Sequence, residues 1–162
     1  MKWRVAILTA SDKGAQGERE DVSAQVIREI VEDELGGEII EYRIVPDEVD
    51  EIMAALIEMT DYFDAHLVIT TGGTGLAPRD VTPEATKNVI DKEVPGISEA
   101  MRMGAMHKTR HAMLSRGISG IRGNSLIINL PGSPKGVSES LSAIIDQLPH
   151  ALYIMTGQLT EH

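Results

Sequence analysis

The hydrophobic residues of this chain recur with two different periods, in blocks that alternate. Short apolar runs rich in β-branched residues, at Lys2–Thr9, Glu38–Val45 and Ala65–Thr71, predict three buried strands. Between these runs, apolar residues recur at helical spacing over Val22–Leu35 and Val49–Thr60, which predicts two amphipathic helices. This alternation predicts an α/β protein with helices on both faces of a mainly parallel sheet, that is, a three-layer α/β/α sandwich.

The second half of the chain has a less regular pattern. Thr82-Pro83 is typical of a helix start, with Thr82 as the N-cap and Pro83 as the first helical residue. The further elements are predicted, in chain order, as a helix from Pro95, a short strand and turn at Gly117–Gly123, a strand at Ser125–Leu130, a helix at Val137–Gln147 and a last helix from Pro149. The 162 residues contain no repeat or linker, so a single domain spanning residues 1–162 is predicted.

Four loops are expected to meet at one edge of the sheet. They follow four of the predicted strands and span Ser11–Asp21, Pro46–Asp47, Gly72–Asp80 and Pro131–Gly136. Ligands of parallel sheets bind beyond the carboxyl ends of the strands. These four loops are therefore expected to hold the functional residues.

The stretch Thr70–Pro83, which contains the loop Gly72–Asp80 after the third strand, carries glycines at positions 72, 73 and 75. Glycine accepts positive φ and lets another group approach the backbone closely, so backbone N–H groups and threonine hydroxyls here can bind an anion. A plain strand-to-helix turn is the alternative, but it needs far fewer residues. The Pro131–Gly136 loop has a similar composition, and each loop has one cation, Arg79 or Lys135. Together the two loops indicate binding of phosphate groups.

The composition narrows the choice of partners. The chain has no cysteine, which excludes disulfides, a thiolate nucleophile and a cysteine-ligated zinc site. Its net charge is −10, and the excess lies in Glu18–Asp61, with fifteen acidic residues and three arginines. Nucleic acid is therefore not an expected partner, whereas a small anion at the loops is compatible with this charge. The sequence has neither a long apolar run nor a signal-peptide pattern, so we expect no membrane association and predict a cytoplasmic location.

Four sets of motifs follow one another along the chain. They are Ser11-Asp12 with Gly17 and Asp21-Val22-Ser23, Val45-Pro46-Asp47, Thr70-Thr71-Gly72-Gly73-Thr74-Gly75 with Arg79-Asp80-Val81-Thr82-Pro83-Glu84-Ala85-Thr86, and Leu130-Pro131-Gly132-Ser133-Pro134-Lys135-Gly136. In these motifs the chain resembles the molybdopterin adenylyltransferases and their close relatives, the MogA/MoaB group of molybdenum cofactor biosynthesis. The resemblance runs through nearly the whole chain, and the order of the Gly-rich motif is highly specific. The resemblance implies a molybdopterin-binding-like fold.

The same resemblance implies a reaction and a set of partners. The phosphate of the dithiolene-bearing pterin attacks the α-phosphorus of ATP with Mg²⁺ present, and the adenylated product is the form that accepts molybdate or tungstate. A partner protein for that insertion and a homotrimer or homohexamer are implied as well. Asp47 and Asp80 are implied as catalytic residues and as tentative Mg²⁺ ligands. The implied substrate-binding residues are Ser11, Asp12, Thr71, Gly72, Gly73, Thr74, Gly75, Arg79, Pro131, Gly132, Ser133 and Lys135.

The chemistry of phosphoryl transfer supports this set, although each residue also has a structural alternative. Two carboxylates beside phosphates are reasonable if Mg²⁺ lies between them, because Mg²⁺ prefers hard oxygen ligands. Asp47 is alternatively the N-cap of the next helix, and Asp80 alternatively pairs with Arg79 or caps its own turn. Ser11, Asp12 and Ser133 are alternatively residues that cap or shape their loops.

Three hypotheses about function remain open at this point. The first is an ATP-dependent nucleotidyltransferase, the second a molybdopterin-binding carrier or scaffold without transfer activity, and the third an unrelated nucleotide-phosphate hydrolase. Asp47 with Arg79-Asp80 favours the first, because a pure carrier would not need them. No nucleophile or general base is fixed by spacing, which disfavours hydrolysis. His107 and His111 have the spacing of zinc ligands on a helix, but with no third ligand nearby they are interpreted as solvated.

Overall fold

The computed structural model describes residues 2–158, which contain one six-stranded sheet. The strands are β1 (Trp3–Ala10), β2 (Gly37–Val45), β3 (Leu67–Thr71), β4 (Lys92–Glu93), β5 (Ser119–Arg122) and β6 (Ser125–Leu130). Their order across the sheet is β2-β1-β3-β6-β5-β4. β2, β1, β3 and β6 pair in parallel, and the short β5 and β4 continue the sheet in antiparallel pairing. The predicted, mainly parallel sheet is confirmed.

Seven α-helices surround the sheet within the described part of the chain. They are α1 (Asp12–Ala15), α2 (Val22–Ile30), α3 (Val49–Ile57), α4 (Thr82–Val89), α5 (Pro95–Met106), α6 (Pro134–Ile144) and α7 (Leu148–Met155). A turn of 3₁₀ helix at Arg110–Leu114 follows α5. No helix within residues 2–158 has the length and apolar character that crossing a membrane requires.

Two apolar layers form the core, one on each face of the sheet. Val5 and Ile7 of β1 belong to one layer, and Ala6 and Leu8 to the other, because successive strand residues point to opposite faces. The first layer is covered by α2, α5, α6 and α7, and the second by α3 and α4. The predicted α/β/α sandwich is confirmed.

Two predicted helices change type before they end. The helix predicted over Val22–Leu35 is α-helical to Ile30 and continues as a π-helix over Val31–Leu35, where Gly36 at φ 72° ends it. In the same way α3 is followed by a π-helix over Glu58–Tyr62. The hydrophobic pattern predicted the end of the first helix at Leu35 correctly, but it ended the second at Thr60, before the π-helix ends at Tyr62.

Three predicted helix starts were displaced. The last helix begins at Leu148 rather than at Pro149. Thr82 is the first residue of α4 rather than its N-cap; Val81 holds the N-cap position, and no side chain caps this helix. The helix predicted from Val137 begins at Pro134, because the Ser133 side chain accepts a hydrogen bond from the N–H of Gly136 and caps it.

Candidate active site

The Gly-rich loop is held between the carboxyl ends of β1 and β6. The N–H of Gly72 donates to the carbonyl of Leu130 at 3.2 Å, and Thr71 Oγ1 donates to the carbonyl of Pro131 at 2.6 Å. Gly72 has a φ of 95°, and a Cβ built on it would overlap the carbonyl oxygen of Ala10. Only glycine allows the loop to pass this close to β1.

Gly73 and Gly75 face different neighbours. Gly73 has a φ of 69°, and a Cβ built on it would overlap Thr82 Oγ1 and lie 3.3 Å from Asp47 Oδ1. A Cβ built on Gly75 would lie 2.9 Å from Asp80 Oδ2. The loop therefore places the glycine backbone directly against both carboxylates that the sequence singled out.

Asp47 and Asp12 form a reciprocal pair of hydrogen bonds. The N–H of Asp12 donates to Asp47 Oδ2, and the N–H of Asp47 donates to Asp12 Oδ1, both at 3.0 Å. The alternative role of Asp47 as N-cap is wrong, since Glu48 occupies that position and α3 has no side-chain cap. Burial raises the pKa of Asp47 above its usual value, and the charges of Asp12 and Asp80 raise this pKa further. Such a site is favourable for a cation.

Arg79 pairs with carboxylates other than Asp80. Its Nε and Nη2 donate to the two oxygens of Asp12 at 3.0 and 2.9 Å, and its Nη1 lies 3.0 Å from Glu48 Oε1. The hydrogen bonds from Arg79 lower the pKa of Asp12 below its usual value. Asp80 Oδ2 accepts from the N–H of Ala77 at 3.0 Å, so Asp80 caps its own turn while it faces Gly75.

Arg116 is an organising residue that the sequence did not reveal. Its Nε donates to the carbonyl of Gly75 at 2.8 Å, its Nη2 to the carbonyl of Asp80 at 2.7 Å, and its own N–H to the carbonyl of Thr74 at 2.8 Å. It also forms an ion pair with Glu84 of α4 at 2.6 Å. One guanidinium therefore ties both ends of the Gly75–Asp80 turn to the following helix.

A second network fixes the Pro131–Gly136 loop. Ser23 Oγ in the first turn of α2 donates to the carbonyl of Gly132 at 2.7 Å. Asp21 caps that turn by accepting from the N–H of Ala24 at 3.1 Å. The carboxylate of Asp21 also accepts from the hydroxyls of Thr9 and Tyr42, and burial raises the pKa of Tyr42. The polar residues of β1 and β2 thus orient α2 toward the loop.

Two cavities open at the carboxyl edge of the sheet. The first has a volume of about 420 Å³ and extends toward α5 and α6, where Met101, Arg102 and His111 line it. The second has a volume of about 600 Å³ and extends toward the β1 and β2 loops, where Ser11, Arg19 and Asp47 line it. They share one wall, which is formed by Gly73, Asp80, Gly132 and Ser133.

The structure brings together most of the residues selected from the sequence. Besides the shared wall, Ser11, Asp47, Thr71 and Gly72 line the second cavity, whereas Thr74, Gly75 and Pro131 line the first. Asp12 and Arg79 line neither cavity and flank Asp47.

Lys135 lies apart from the other selected residues. It lines a separate groove between α5 and α6, together with Lys108 and Glu139. Ser11 and Ser133 do shape their loops as the alternative reading proposed, since each accepts from an N–H three residues later at 3.0 Å.

The carboxylates of the site fit a magnesium ion shared with phosphates. Residues 2–158 contain no group of three or more histidine and acidic residues that could hold a metal alone. Mg²⁺ commonly binds through one or two carboxylates, with water and substrate phosphates as the other ligands. Asp47 and Asp80 both line the second cavity, and Asp47 Oδ1 accepts no hydrogen bond from the described residues. This donor set is the kind that Mg²⁺ uses.

Comparison with known proteins gives consistent matches. A family model described as a probable molybdopterin binding domain matches residues 6–150, which include all four loops of the carboxyl edge. The molybdopterin adenylyltransferase of Helicobacter pylori is 45% identical over 154 residues, covering 94% of this chain and 88% of that protein. The molybdopterin adenylyltransferase of Escherichia coli is 41% identical over 171 residues, covering 98% of this chain and 88% of that protein.

Two solved structures match the chain in both sequence and fold. The molybdopterin biosynthesis enzyme MoaB of Thermus thermophilus is 52% identical, with a TM-score of 0.90 over 96% of this chain and 97% of that one. The tungsten cofactor synthesizing protein MoaB of Pyrococcus furiosus is 36% identical, with a TM-score of 0.86 over 95% of this chain and 97% of that one. Fold and sequence similarity therefore extend over almost all of each chain.

Proposed function

The chain belongs to the family of molybdopterin-binding domains, and from this membership we propose that it is a molybdopterin adenylyltransferase of molybdenum or tungsten cofactor biosynthesis. It transfers AMP from ATP to the phosphate of molybdopterin. The product is an adenylated pterin ready for insertion of molybdate or tungstate. Relatives with this name share 41–45% of their residues with the chain over most of its length.

The observation that carries the proposal is the wall shared by two cavities. A transferase with two substrates needs two adjacent sites and a boundary at which the reacting groups meet. The two cavities have volumes of about 420 and 600 Å³, within the ordinary range for small-molecule sites. Gly73 and Asp80 stand at the boundary. This arrangement supports a reaction between two bound phosphates.

In the proposed reaction an oxygen of the pterin phosphate attacks the α-phosphorus of ATP. A phosphorus–oxygen bond forms there, the bond from the α-phosphorus to the bridging oxygen breaks, and pyrophosphate leaves with its electrons. The N–H of Gly72 is already donated to Leu130. The backbone N–H groups of residues 73–75 therefore hold the phosphoryl oxygens, where negative charge is concentrated in the transition state. Asp47 and Asp80 would hold Mg²⁺, which neutralises phosphate charge when bound.

The direct experiment uses the purified chain with molybdopterin, ATP and Mg²⁺. Mass analysis should find the adenylated pterin together with pyrophosphate, and omission of Mg²⁺ should abolish both. Release of ADP or AMP without adenylated pterin would indicate a hydrolase and overturn the proposal. Binding of molybdopterin without any adenylated product would instead indicate a carrier.

The assembly and location of the protein are part of the same proposal. Met103, Met106 and Met113 expose 68%, 41% and 47% of their surface, an apolar area suited to contact with further copies of the chain. The proposal includes a homo-oligomer with threefold symmetry, a cytoplasmic location and transfer of the product to a partner that inserts the metal. Light scattering that detects only a monomer at micromolar concentration would contradict the assembly.

A further inference from the structure

Thr82 Oγ1 is the buried side-chain oxygen of residues 2–158 for which the structure provides no hydrogen-bond partner. The whole residue is 0% exposed. A buried hydroxyl without a partner keeps the full cost of losing water, so such groups are rare and usually have a functional reason. Thr82 stands at the start of α4, directly behind the Gly-rich loop, where the N–H of Thr82 donates to the carbonyl of Gly73 at 3.1 Å.

The orphaned hydroxyl and the carboxylate of Asp47 lie on the same side of Gly73. A Cβ built on Gly73 would overlap Thr82 Oγ1 and lie 3.3 Å from Asp47 Oδ1. The other oxygen of Asp47 is already held by the N–H of Asp12 at 3.0 Å. Since Gly73 has no side chain, the hydroxyl and Oδ1 both border the space that a Cβ would occupy there.

A second threonine of the same helix shows that the missing partner is specific to Thr82. Thr86 lies one turn later and is also 0% exposed, but its Oγ1 accepts from Asn129 Nδ2 at 3.0 Å. A threonine inside a helix can also donate to a carbonyl of the preceding turn. Thr82 is the first residue of α4 and has no preceding helical turn. Its acceptor must therefore come from outside the helix.

We propose that Thr82 is a positioning residue for Asp47, whose Oδ1 accepts a hydrogen bond from the Thr82 hydroxyl when nucleotide and a divalent cation are bound. The bond would hold the carboxylate in the orientation that the cation requires. This inference rests on the proposed function, which gives Asp47 a cation to bind. Partners that orient metal-ligating groups typically contribute about 10- to 100-fold to metal affinity or activity.

Three variants test the role of the hydroxyl. Thr82→Val keeps the shape and removes the hydroxyl, Thr82→Ser keeps the hydroxyl, and Thr86→Val is the control that removes a satisfied hydroxyl from the same helix. Calorimetry measures ATP affinity with and without Mg²⁺, and thermal unfolding measures Tm. For Thr82→Val we expect affinity in Mg²⁺ to fall about tenfold or more, with little change without Mg²⁺. Thr82→Ser should recover most of that loss.

The stability of the variants provides the contrast that a purely structural role would not produce. Thr82→Val loses no hydrogen bond of the described fold, so its Tm should equal or exceed that of the parent. Thr86→Val loses the bond from Asn129 and should have a lower Tm. A Thr82→Val variant destabilised as much as Thr86→Val would show that the hydroxyl already has a partner, and would overturn the inference.

Unchanged affinity for ATP in Mg²⁺ after Thr82→Val would also overturn it. The parent is assayed for adenylated pterin in parallel, which separates the two proposals. If the parent forms adenylated pterin while Thr82→Val binds ATP and Mg²⁺ normally, only the role of Thr82 fails. If the parent binds no ATP in Mg²⁺, both proposals fail.

Discussion

Replacement of Arg116 by alanine should loosen the Gly-rich loop and impair the site without disrupting the rest of the fold. The guanidinium donates to the carbonyls of Gly75 and Asp80 at 2.8 and 2.7 Å and pairs with Glu84. Alanine leaves both carbonyls without this donor, so the turn between them is no longer tied to α4. Because Asp80 belongs to this turn, a more mobile turn displaces the Asp80 carboxylate from the reacting groups.

The cost to stability can be worked from the contacts. The two hydrogen bonds from the charged guanidinium to half-buried carbonyls are worth about 1.5 kcal/mol each, at the lower end of the usual range. The side chains of Arg116 and Glu84 are 36% and 51% exposed, so their ion pair adds at most about 1 kcal/mol. A total loss of about 3–4 kcal/mol lowers the Tm of a chain of this size by roughly 6–16 °C.

Arg122 offers a matched control at the other end of the sheet. It donates to the carbonyl of Val89 at 2.8 Å and pairs with Asp61 at 2.8 Å, and its neighbour across the strands is Ser125 at the start of β6. Arg122→Ala should lower Tm by a similar amount but leave ATP affinity and turnover close to the parent. Arg116→Ala should reduce turnover about a hundredfold, the cost of displacing a reacting group by about 1 Å.

Arg116→Lys refines the test, because lysine keeps the charge but lacks the planar fork that reaches two carbonyls and a carboxylate together. We expect its turnover to lie much nearer to Arg116→Ala than to the parent. Turnover in Arg116→Ala equal to that in Arg122→Ala, at matched Tm, would refute the reasoning. It would mean that the turn keeps its conformation without the guanidinium.

Three further predictions concern the loop and its carboxylates. Asp80→Asn should reduce adenylation at least about a hundredfold with little change in Tm; near-normal turnover would remove Asp80 from the site. Asp47→Asn should raise Tm near neutral pH, because a raised pKa of Asp47 means that folding disfavours the ionised carboxylate. Unfolding scans across pH should find that this gain in Tm disappears as pH falls below 3.8, the ordinary pKa of the group. In Gly73→Val the valine must adopt a positive φ and would overlap Thr82 Oγ1, so strain of about 1–3 kcal/mol should lower Tm. Calorimetry should find a larger loss of ATP affinity than this strain explains. Normal ATP affinity would exclude the loop as a phosphate site.

The sheet and its functional edge were predictable because they depend on local pattern. β-branched runs bury in the sheet, and the helices between them make the connections from β1 to β2 and from β2 to β3 cross over, so these three strands are parallel. The start of α6 was also visible in principle. Ser133 followed by Pro134 is a typical N-cap and first helical residue, but the glycine at 136 favoured an extended loop instead.

The partners of the charged residues could not be predicted. Arg79 stands next to Asp80 in the sequence, yet it pairs with Asp12, 67 positions earlier in the chain. Arg116 lies in a stretch without clear periodicity, and its contact with Gly75 spans 41 positions. Which residues form ion pairs depends on the side chains that the fold brings together, not on their spacing in the sequence. Only the structure could therefore reveal that Arg79 binds an acidic residue and that Arg116 binds the Gly-rich loop.

Most cations near the site are paired with carboxylates or lie elsewhere, and this explains why the site should depend on a metal ion. Within residues 2–158, Arg79 is paired with Asp12 and Glu48, Arg116 is paired with Glu84, and Lys135 lines another groove. Among the described residues, one arginine without a carboxylate partner lines each cavity, Arg102 the first and Arg19 the second. Asp80 at the shared wall and Asp47 next to it meanwhile place negative charge where two phosphates must approach. One guanidinium in each cavity can orient a substrate, but it cannot offset that repulsion at the wall. A divalent cation held by the two carboxylates would cancel their charge and let the phosphates approach, so removal of Mg²⁺ should abolish the transfer. Raised salt screens the guanidinium charges and should weaken binding of each substrate.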